Sequence, residues 1–437
     1  MSFPKYPAYK NSGVEWLGEV PEHWEVSSLR HSLEEIFNGL TAEQIDPSES
    51  TVPVTRIETI SNGNINFEKV GFVSKDDARS DRKLIFGDIC FSNINSLKMI
   101  GNCAMYLGEQ ELYGGMNLLV LRPIQTRDPR YLYWVIRSDG FRKTVESYAK
   151  PAINQASISQ SSLAGIGICI PHKEEQTAIA TFLDHETAKI DALVAEQEKL
   201  IALLQEKRQA VISHAVTKGL DPSVPMKDSG VEWLGEVPAH WGIQKISHAF
   251  RARKGRDAAT LTKEYCATIE GEYPVYSGQT ENSGVMASIS SFEFDTGKSG
   301  VLFSTTVGAK AMTLMHINGR FSLSQNCMII SASTDVDVRF YFYHFQPLFA
   351  YERGLIPEHM QASFRMEDLY AYRFARPSVN EQIAIARYLD EKCSGFDRLI
   401  SEAQKNISLL QERRSALISA AVTGQIDVRN WSVSESA

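Results

Sequence analysis

The sequence predicts an α+β fold: two mixed α/β domains separated by two long helices that form an antiparallel coiled coil, arranged as a pseudo-two-fold internal repeat. Three observations predict it. Long blocks of sequence recur once, in the same order. Each copy holds short strand-like runs closed by an amphipathic helical segment. Each copy then ends on an apolar stripe longer than the 8 to 20 residues of an ordinary globular helix.

The repeat comes first because it sets the frame. Residues 10–24 read KNSGVEWLGEVPEHW and residues 227–241 read KDSGVEWLGEVPAHW, identical at thirteen of fifteen positions at an offset of 217. IPHKEEQTAIATFLD (170–184) matches RPSVNEQIAIARYLD (376–390), and LLQEKRQAVISHAVT (203–217) matches LLQERRSALISAAVT (409–423), both at offset 206. Weaker echoes lie between: Ile89-Cys90-Phe91-Ser92 with Val301-Leu302-Phe303-Ser304, Asn117 with Asn326, and Arg130-Tyr131 with Arg339-Phe340. An offset that falls steadily is what loop deletions in a shared fold produce. The 437 residues therefore divide into a flank (1–24), a first interior (25–171), a long helix (172–219), a repeated linker (220–241), a second interior (242–377), a second long helix (378–424) and a tail (425–437).

In the interiors, FGDICFSNI (86–94), NLLVLRP (117–123), SGVLFSTTV (299–307) and NCMIISA (326–332) read as strands between Gly, Asn and Asp turn clusters. DPRYLYWVIRSDGFRKTV (128–145) and VRFYFYHFQPLFAYE (338–352) read as amphipathic helices. Pro171 and Pro377 end the interiors, and an acidic turn opens each long helix. Along the first helix Ile190, Leu193, Gln197, Leu200, Leu204, Lys207, Val211 and His214 follow 3,4 spacing, flanked by Val194, Ile201, Ile212 and Ala215. Along the second, Phe396, Leu399, Ala403, Asn406, Leu410, Arg413, Leu417 and Ala420 take the same places, flanked by Ile400, Ile407, Ile418 and Ala421. A stripe this long needs a partner helix, and the other copy supplies one. About 45 residues at 1.5 Å rise give a rod of roughly 65 Å, closed by Gly219 and Gly424.

Composition narrows the class. No run approaches the roughly 18 apolar residues of a membrane helix, and the start MSFPKYPAYKNSG has neither the basic nor the apolar region of a secretory signal, so a cytoplasmic protein is expected. Cys90, Cys103, Cys169, Cys266, Cys327 and Cys393 are scattered without CxxC or zinc spacing, which predicts buried thiols and no metal. Net charge is −8, yet residues 25–170 carry 15 basic and 17 acidic side chains and residues 242–376 carry 14 and 13. The interiors are near neutral, so local clusters of Lys and Arg remain available to phosphate.

Catalytic signatures are missing. No Asn or Asp is followed by Pro-Pro and an aromatic residue. Gly297-Lys298-Ser299 has Phe292 where a phosphate loop needs its first glycine, and reads as a turn. No catalytic residue is expected in this chain.

The tandem arrangement, SGVEWLGEVPxHW at 12–24 and 229–241, the PxxxEQxAIAxxLD opening of each helix and its LLQE[KR]R close resemble the specificity subunit of type I restriction-modification enzymes. The resemblance covers essentially the whole chain. It implies that each interior is a target recognition domain, that the helices are the spacer, and that the two domains read two halves of an asymmetric bipartite site in double-stranded DNA. It implies two copies of a methyltransferase (modification) subunit and two of a restriction-translocase subunit as partners, which would carry the adenine methyltransferase and endonuclease activities with S-adenosylmethionine, ATP and magnesium. This chain itself is then expected to bind no cofactor. Trp16, Trp24, Trp233 and Trp241 are either a docking surface for the methyltransferase or clamps that pack each linker on a helix end. A coiled-coil adaptor for two protein partners, without DNA selection, is the other reading of the frame.

Base reading calls for Arg or Lys toward guanine and Asn or Gln toward adenine, on loops that enter a groove. The first interior offers Arg79, Arg82, Lys83, Asn93, Asn95, Lys98, Lys150, Asn154 and Gln155. The second offers Arg251, Arg253, Lys254, Arg256, Gln279, Asn282, Lys298, Lys310, Arg320, Gln325 and Asn326. RARKGR (251–256), with four cations in six residues, is the densest cluster.

Overall fold

The computed structural model describes residues 3–60, 63–152, 155–279, 281–357 and 359–432. Two compact units divide the chain: Met1–Gln197 with Lys405–Ala437, and Glu198–Gln404. Both cuts fall inside the long helices, Lys173–Lys218 and Val379–Val422. Each unit therefore holds the start of one helix and the end of the other.

In the first unit the flank forms a hairpin, Tyr9–Asn11 against Glu19–Pro21. An antiparallel four-stranded sheet runs in the order Leu33–Asn38, Leu119–Pro123, Ile89–Phe91, Cys103–Met105. Its central register pairs Val120 with Phe37 on one side and Cys90 on the other. Helices Pro129–Arg137 and Asp139–Tyr148 follow, broken at Ser138, whose hydroxyl caps the second. A three-stranded sheet joins Lys150–Ala152, Gln155–Ser157 and Ile94–Asn95, and Gly167–Ile170 returns to pair with Glu25–Ser28. Trp24, Tyr131, Phe141 and Phe182 are fully buried in the core.

The second unit repeats this plan. Its hairpin is Met226–Asp228 with Glu236–Pro238. Its main sheet runs Phe250–Arg253, Cys327–Ala332, Val301–Thr305, Leu314–Ile317, the same antiparallel order, and Gly242–Lys245 pairs with Arg373–Arg376. The interiors part company in what is added: here a second sheet of Val285–Ile289, Glu270–Tyr276, Arg320–Leu323 and Phe294–Asp295, and a single helix Val338–Gly354. All six cysteines are buried with free thiols. Among the described residues no helix is long and apolar enough to cross a membrane.

The helix segments pair antiparallel within each unit. In the first, Asp191 binds Arg414 at 2.9 Å, while the Cys169 thiol, just before the first helix, donates to the Val422 carbonyl near the end of the second. In the second, Arg208 lies 3.4 Å from Asp397, and Val211 and His214 line a cleft with Tyr388.

The seam differs from the sequence expectation at every other position. Buried or half-buried are Ile190, Val194, Gln197, Ile201, Leu204, Arg208, Val211 and Ala215, and on the other helix Phe396, Ile400, Ala403, Ile407, Leu410, Arg414, Leu417 and Ala421. Leu193, Leu200 and Leu399, expected in the seam, are 46%, 43% and 45% exposed, and Lys207, His214, Asn406 and Arg413 are exposed with them. The spacing is 4,3 rather than 3,4. Both average 3.5 residues, so the periodicity alone does not separate them. What selects between them is the face each helix start lays on its own domain, where Ile179, Leu183 and Ile190 join one core with Leu417, Ile418 and Ala421.

Candidate nucleic-acid interface

The parts common to both copies form a hydrogen-bonded frame. Glu175, in the first turn of the first long helix and only 6% exposed, lies 2.9 Å from His23 Nε2 and accepts from Trp24 Nε1 at 3.1 Å. Glu381 does the same with His240 at 2.7 Å and Trp241 at 3.2 Å, and also closes a reciprocal cap with Ser378. Partial burial works to raise the Glu381 carboxyl, but hydrogen bonds from His240, Ser378 and Trp241 outweigh it and hold it at about 2. The next residue ties in the interior. Gln176 accepts from Asp128 N and donates to Pro171 O, and Gln382 accepts from Asp337 N and donates to Pro377 O. Asp128 and Asp337 in turn cap the helices that back each sheet. The Glu-Gln pair in each helix opening thus fixes the flank with one residue and the domain with the other.

The four tryptophans belong to this frame. Trp24 and Trp241 are buried, and Trp16 and Trp233 donate to the Gly167 and Arg373 carbonyls at 2.9 and 3.2 Å. Of the two roles open to them, the clamp is the one their contacts describe.

The frame presents the interior turns, and the candidate residues fall into distinct groups. Asn95, Lys150 and Gln155 come together on the three-stranded sheet, where Asn95 stands opposite Ala156 and Lys150 opposite Ser157. Asn93 borders it through its carbonyl, which accepts from Ile158 N, and Lys98 lies exposed in the adjoining turn. Asn154 lies outside the described residues.

Arg79, Arg82 and Lys83 form a second group that is neutralised within the domain. Arg79 binds Asp81 at 2.7 Å and Lys83 binds Glu111 at 2.7 Å. Arg82 meets Glu35 at 3.4 Å and stacks over Phe37. Their charge is spent internally, which weakens them as phosphate contacts.

In the second domain, Gln279, Asn282, Gln325 and Asn326 gather where two loops meet: Gly278 N donates to Gln325 O, and a Cβ on Gly278 would lie 2.8 Å from Asn326. Asn282 and Asn326 adopt left-handed backbone at φ 47° and 62°, as turn asparagines do. Gln279 and Asn282 already donate to the Val285 carbonyl. Along RARKGR, Arg251 bonds the Ser247 and Phe250 carbonyls, Arg253 lies over Phe294, and Lys254 and Arg256 are exposed, Arg256 at 89% with Glu293 at 3.8 Å. Arg320 is held by Asp295 at 2.9 Å, Lys298 is exposed in the neighbouring turn, and Lys310 is exposed in the loop after Val301–Thr305.

An exposed segment in the second domain lies outside the residues expected from the sequence. Arg353, His359, Met360 and Gln361 line an open groove beside Ala309, with Gln361 at the place Gln155 holds in the first domain. The signal was present, since the match at offset 206 extends back from Pro377 to Pro357.

Two like domains on a shared helical frame, with divergent polar turns, define a tandem recognition protein. A family model described as type I restriction modification DNA specificity domain matches residues 21–202 and 240–409. The chain is 30% identical over 452 residues to a Methanocaldococcus jannaschii protein assigned as the MjaX specificity subunit of a type I restriction enzyme, covering 98% of this chain and 99% of that one. A chain from a structure of type I restriction-modification complex assembly superposes with TM-score 0.69 at 15% identity, covering 92% of this chain and 98% of its own length. The HsdS subunit from Thermoanaerobacter tengcongensis gives 0.51 at 15%, covering 93% and 98%. At that identity the structural likeness speaks for the fold. The chain belongs to the type I restriction-modification DNA specificity family.

Proposed function

We propose that this chain reads an asymmetric, bipartite site in double-stranded DNA, one half per domain, and supplies no chemistry of its own. The observation that carries this is the contrast within the repeat: frame contacts recur residue for residue while the interiors differ in their loops and added sheets. Methylation and cleavage then belong to partner subunits, two methyltransferase and two restriction-translocase copies, which bring S-adenosylmethionine, ATP and magnesium to the complex in the cytoplasm. Exposed leucines on the long helices, Leu193 and Leu409 in one unit and Leu200, Leu203 and Leu399 in the other, favour a helical protein partner there. DNA contact falls to the polar turns of each interior, with Lys254, Arg256, Gln325 and Asn326 foremost in the second domain.

The test exchanges residues 25–170 for the first interior of another family member and maps methylated positions by long-read sequencing. One half of the methylated motif should change while the other half and the gap stay fixed. Methylation without any bipartite preference would sink the reading in favour of a protein adaptor.

A further inference from the structure

Several residues kept in both interiors, against their general divergence, have a structural cause. Asn117 and Asn326 both take left-handed backbone, at φ 71° and 62°. Asp128 and Asp337 cap helices. Arg130 and Arg339 bind Asp184 and Asp390 at 3.1 and 2.7 Å. Ser92 and Ser304 are fully buried.

One match has no such cause. Pro151 and Gln155-Ala156-Ser157 recur as Pro357 and Gln361-Ala362-Ser363. The two segments hold the same place. In the first domain Ala156 pairs with Asn95, and the next residue but one, Ile158, donates to the Asn93 carbonyl at 3.0 Å. In the second, Ser363 bridges Val307, Gly308 N donates to Ala362 O, and Phe364 donates to the Thr306 carbonyl at 2.7 Å. Ile158 and Phe364 are buried, which accounts for the segment's position. It does not account for the glutamines: both side chains are exposed, and neither has a hydrogen-bond partner among the described residues.

A side chain without a partner among the described residues, yet the same in two domains built to differ, points to something outside that is the same for both. Two half-sites of different sequence share their sugar-phosphate backbone. The surroundings suit it. Lys150 is exposed on the strand paired with that of Gln155, and Lys98 is exposed in the turn after Asn95; Arg353 lines the same groove as Gln361 and holds the Ala309 carbonyl as Arg142 holds that of Lys98. Glutamine carboxamides donate to phosphate oxygens without reading sequence, and such contacts fix register. Resting on the DNA-reading function proposed above, we infer that Gln155 and Gln361 form a matched pair of backbone clamps that grip each half-site at the equivalent phosphate.

The test uses the complex of this chain with its methyltransferase subunit, carrying Gln155→Ala, Gln361→Ala, or the corresponding Glu substitutions. Each Ala variant should bind the cognate duplex roughly 3- to 10-fold more weakly, the size of one ordinary lost hydrogen bond. Each Glu variant should be weaker still, since it sets an anion against phosphate. The methylated motif should be unchanged, and thermal unfolding should match wild type. Relaxed preference at one base would overturn the clamp in favour of base reading. Unchanged DNA affinity, with or without weaker assembly with the methyltransferase, would overturn it as well. A wild-type complex that selects no sequence would instead remove the DNA-reading function itself, whatever the variants do.

Discussion

Glu175 accepts hydrogen bonds from two consecutive flank residues, with His23 Nε2 at 2.9 Å and Trp24 Nε1 at 3.1 Å, and so anchors a segment some 150 residues distant to the first turn of a long helix. Trp24 is fully buried, so removing its acceptor strands an indole N–H away from water. Glu175→Ala should destabilise the first unit by about 1–3 kcal/mol. Glu175→Gln, which keeps a carbonyl oxygen within reach, should lose clearly less. Urea unfolding of the two variants decides; equal losses would mean that packing, and not the shared carboxylate, holds the flank.

The second unit carries a titratable lock of another kind. His344 is fully buried, its Nδ1 3.0 Å from the Val216 carbonyl and its Nε2 accepting from Ala375 N, so the neutral ring ties the end of the first long helix to the sheet. Burial pushes it down to about 3 from 6.5, the hydrogen bond to Val216 working weakly the other way. The unfolded chain takes up this proton near pH 6.5 and the folded chain does not. The stabilisation is therefore whole above 6.5 and is lost as pH falls toward 3, at up to about 1.4 kcal/mol per unit. Between pH 6.5 and 5 the unfolding free energy of wild type should fall, while His344→Asn, weaker at neutral pH, should run flatter. Parallel curves would refute the assignment. Below pH 4.5 Glu381 adds a further loss of the same sign, because its folded value of about 2 lies under the ordinary 4.5.

The helix seam gives a prediction and shows where sequence reading stops. Leu200→Glu and Leu399→Glu should leave the unfolding free energy of the chain within about 0.5 kcal/mol of wild type. Ala403→Glu, which drives a carboxylate into the buried seam, should cost several kcal/mol, roughly 3 or more. If the leucine variants unfolded as readily as Ala403→Glu, the 4,3 spacing would be wrong.

The repeat, the two helices and their antiparallel pairing were legible because identity and periodicity survive in one dimension. The register was not, because residues 193 and 194, and 200 and 201, are all apolar, and only the domain against which the helix starts distinguishes them. The interface was legible still less. Arg82 and Lys83 look like free cations until the fold brings Glu35 and Glu111 to them from 47 and 28 residues away. Gln155 and Gln361, by contrast, carried their signal in the sequence as part of the offset-206 match.

The two helix-ending glycines should respond differently to the same substitution. Gly219 and Gly424 adopt φ 75° and 73°, so alanine at either adopts a left-handed backbone costing about 1–2 kcal/mol. Around Gly219 there is room: an added Cβ would meet Trp241 at 3.4 Å and Pro238 at 3.7 Å. Around Gly424 there is none, since the same atom would lie 2.3 Å from the Pro21 ring and 3.2 Å from Trp24. A proline ring cannot swing aside as a lysine would, so the hairpin or the helix end must shift, which adds about 1–3 kcal/mol. Gly424→Ala should therefore unfold at clearly lower temperature or denaturant than Gly219→Ala, and Gly219→Asn should sit nearest wild type because asparagine tolerates the left-handed region. If the two alanine variants proved equally stable, the close fit of the second helix end on the first flank would not hold in solution.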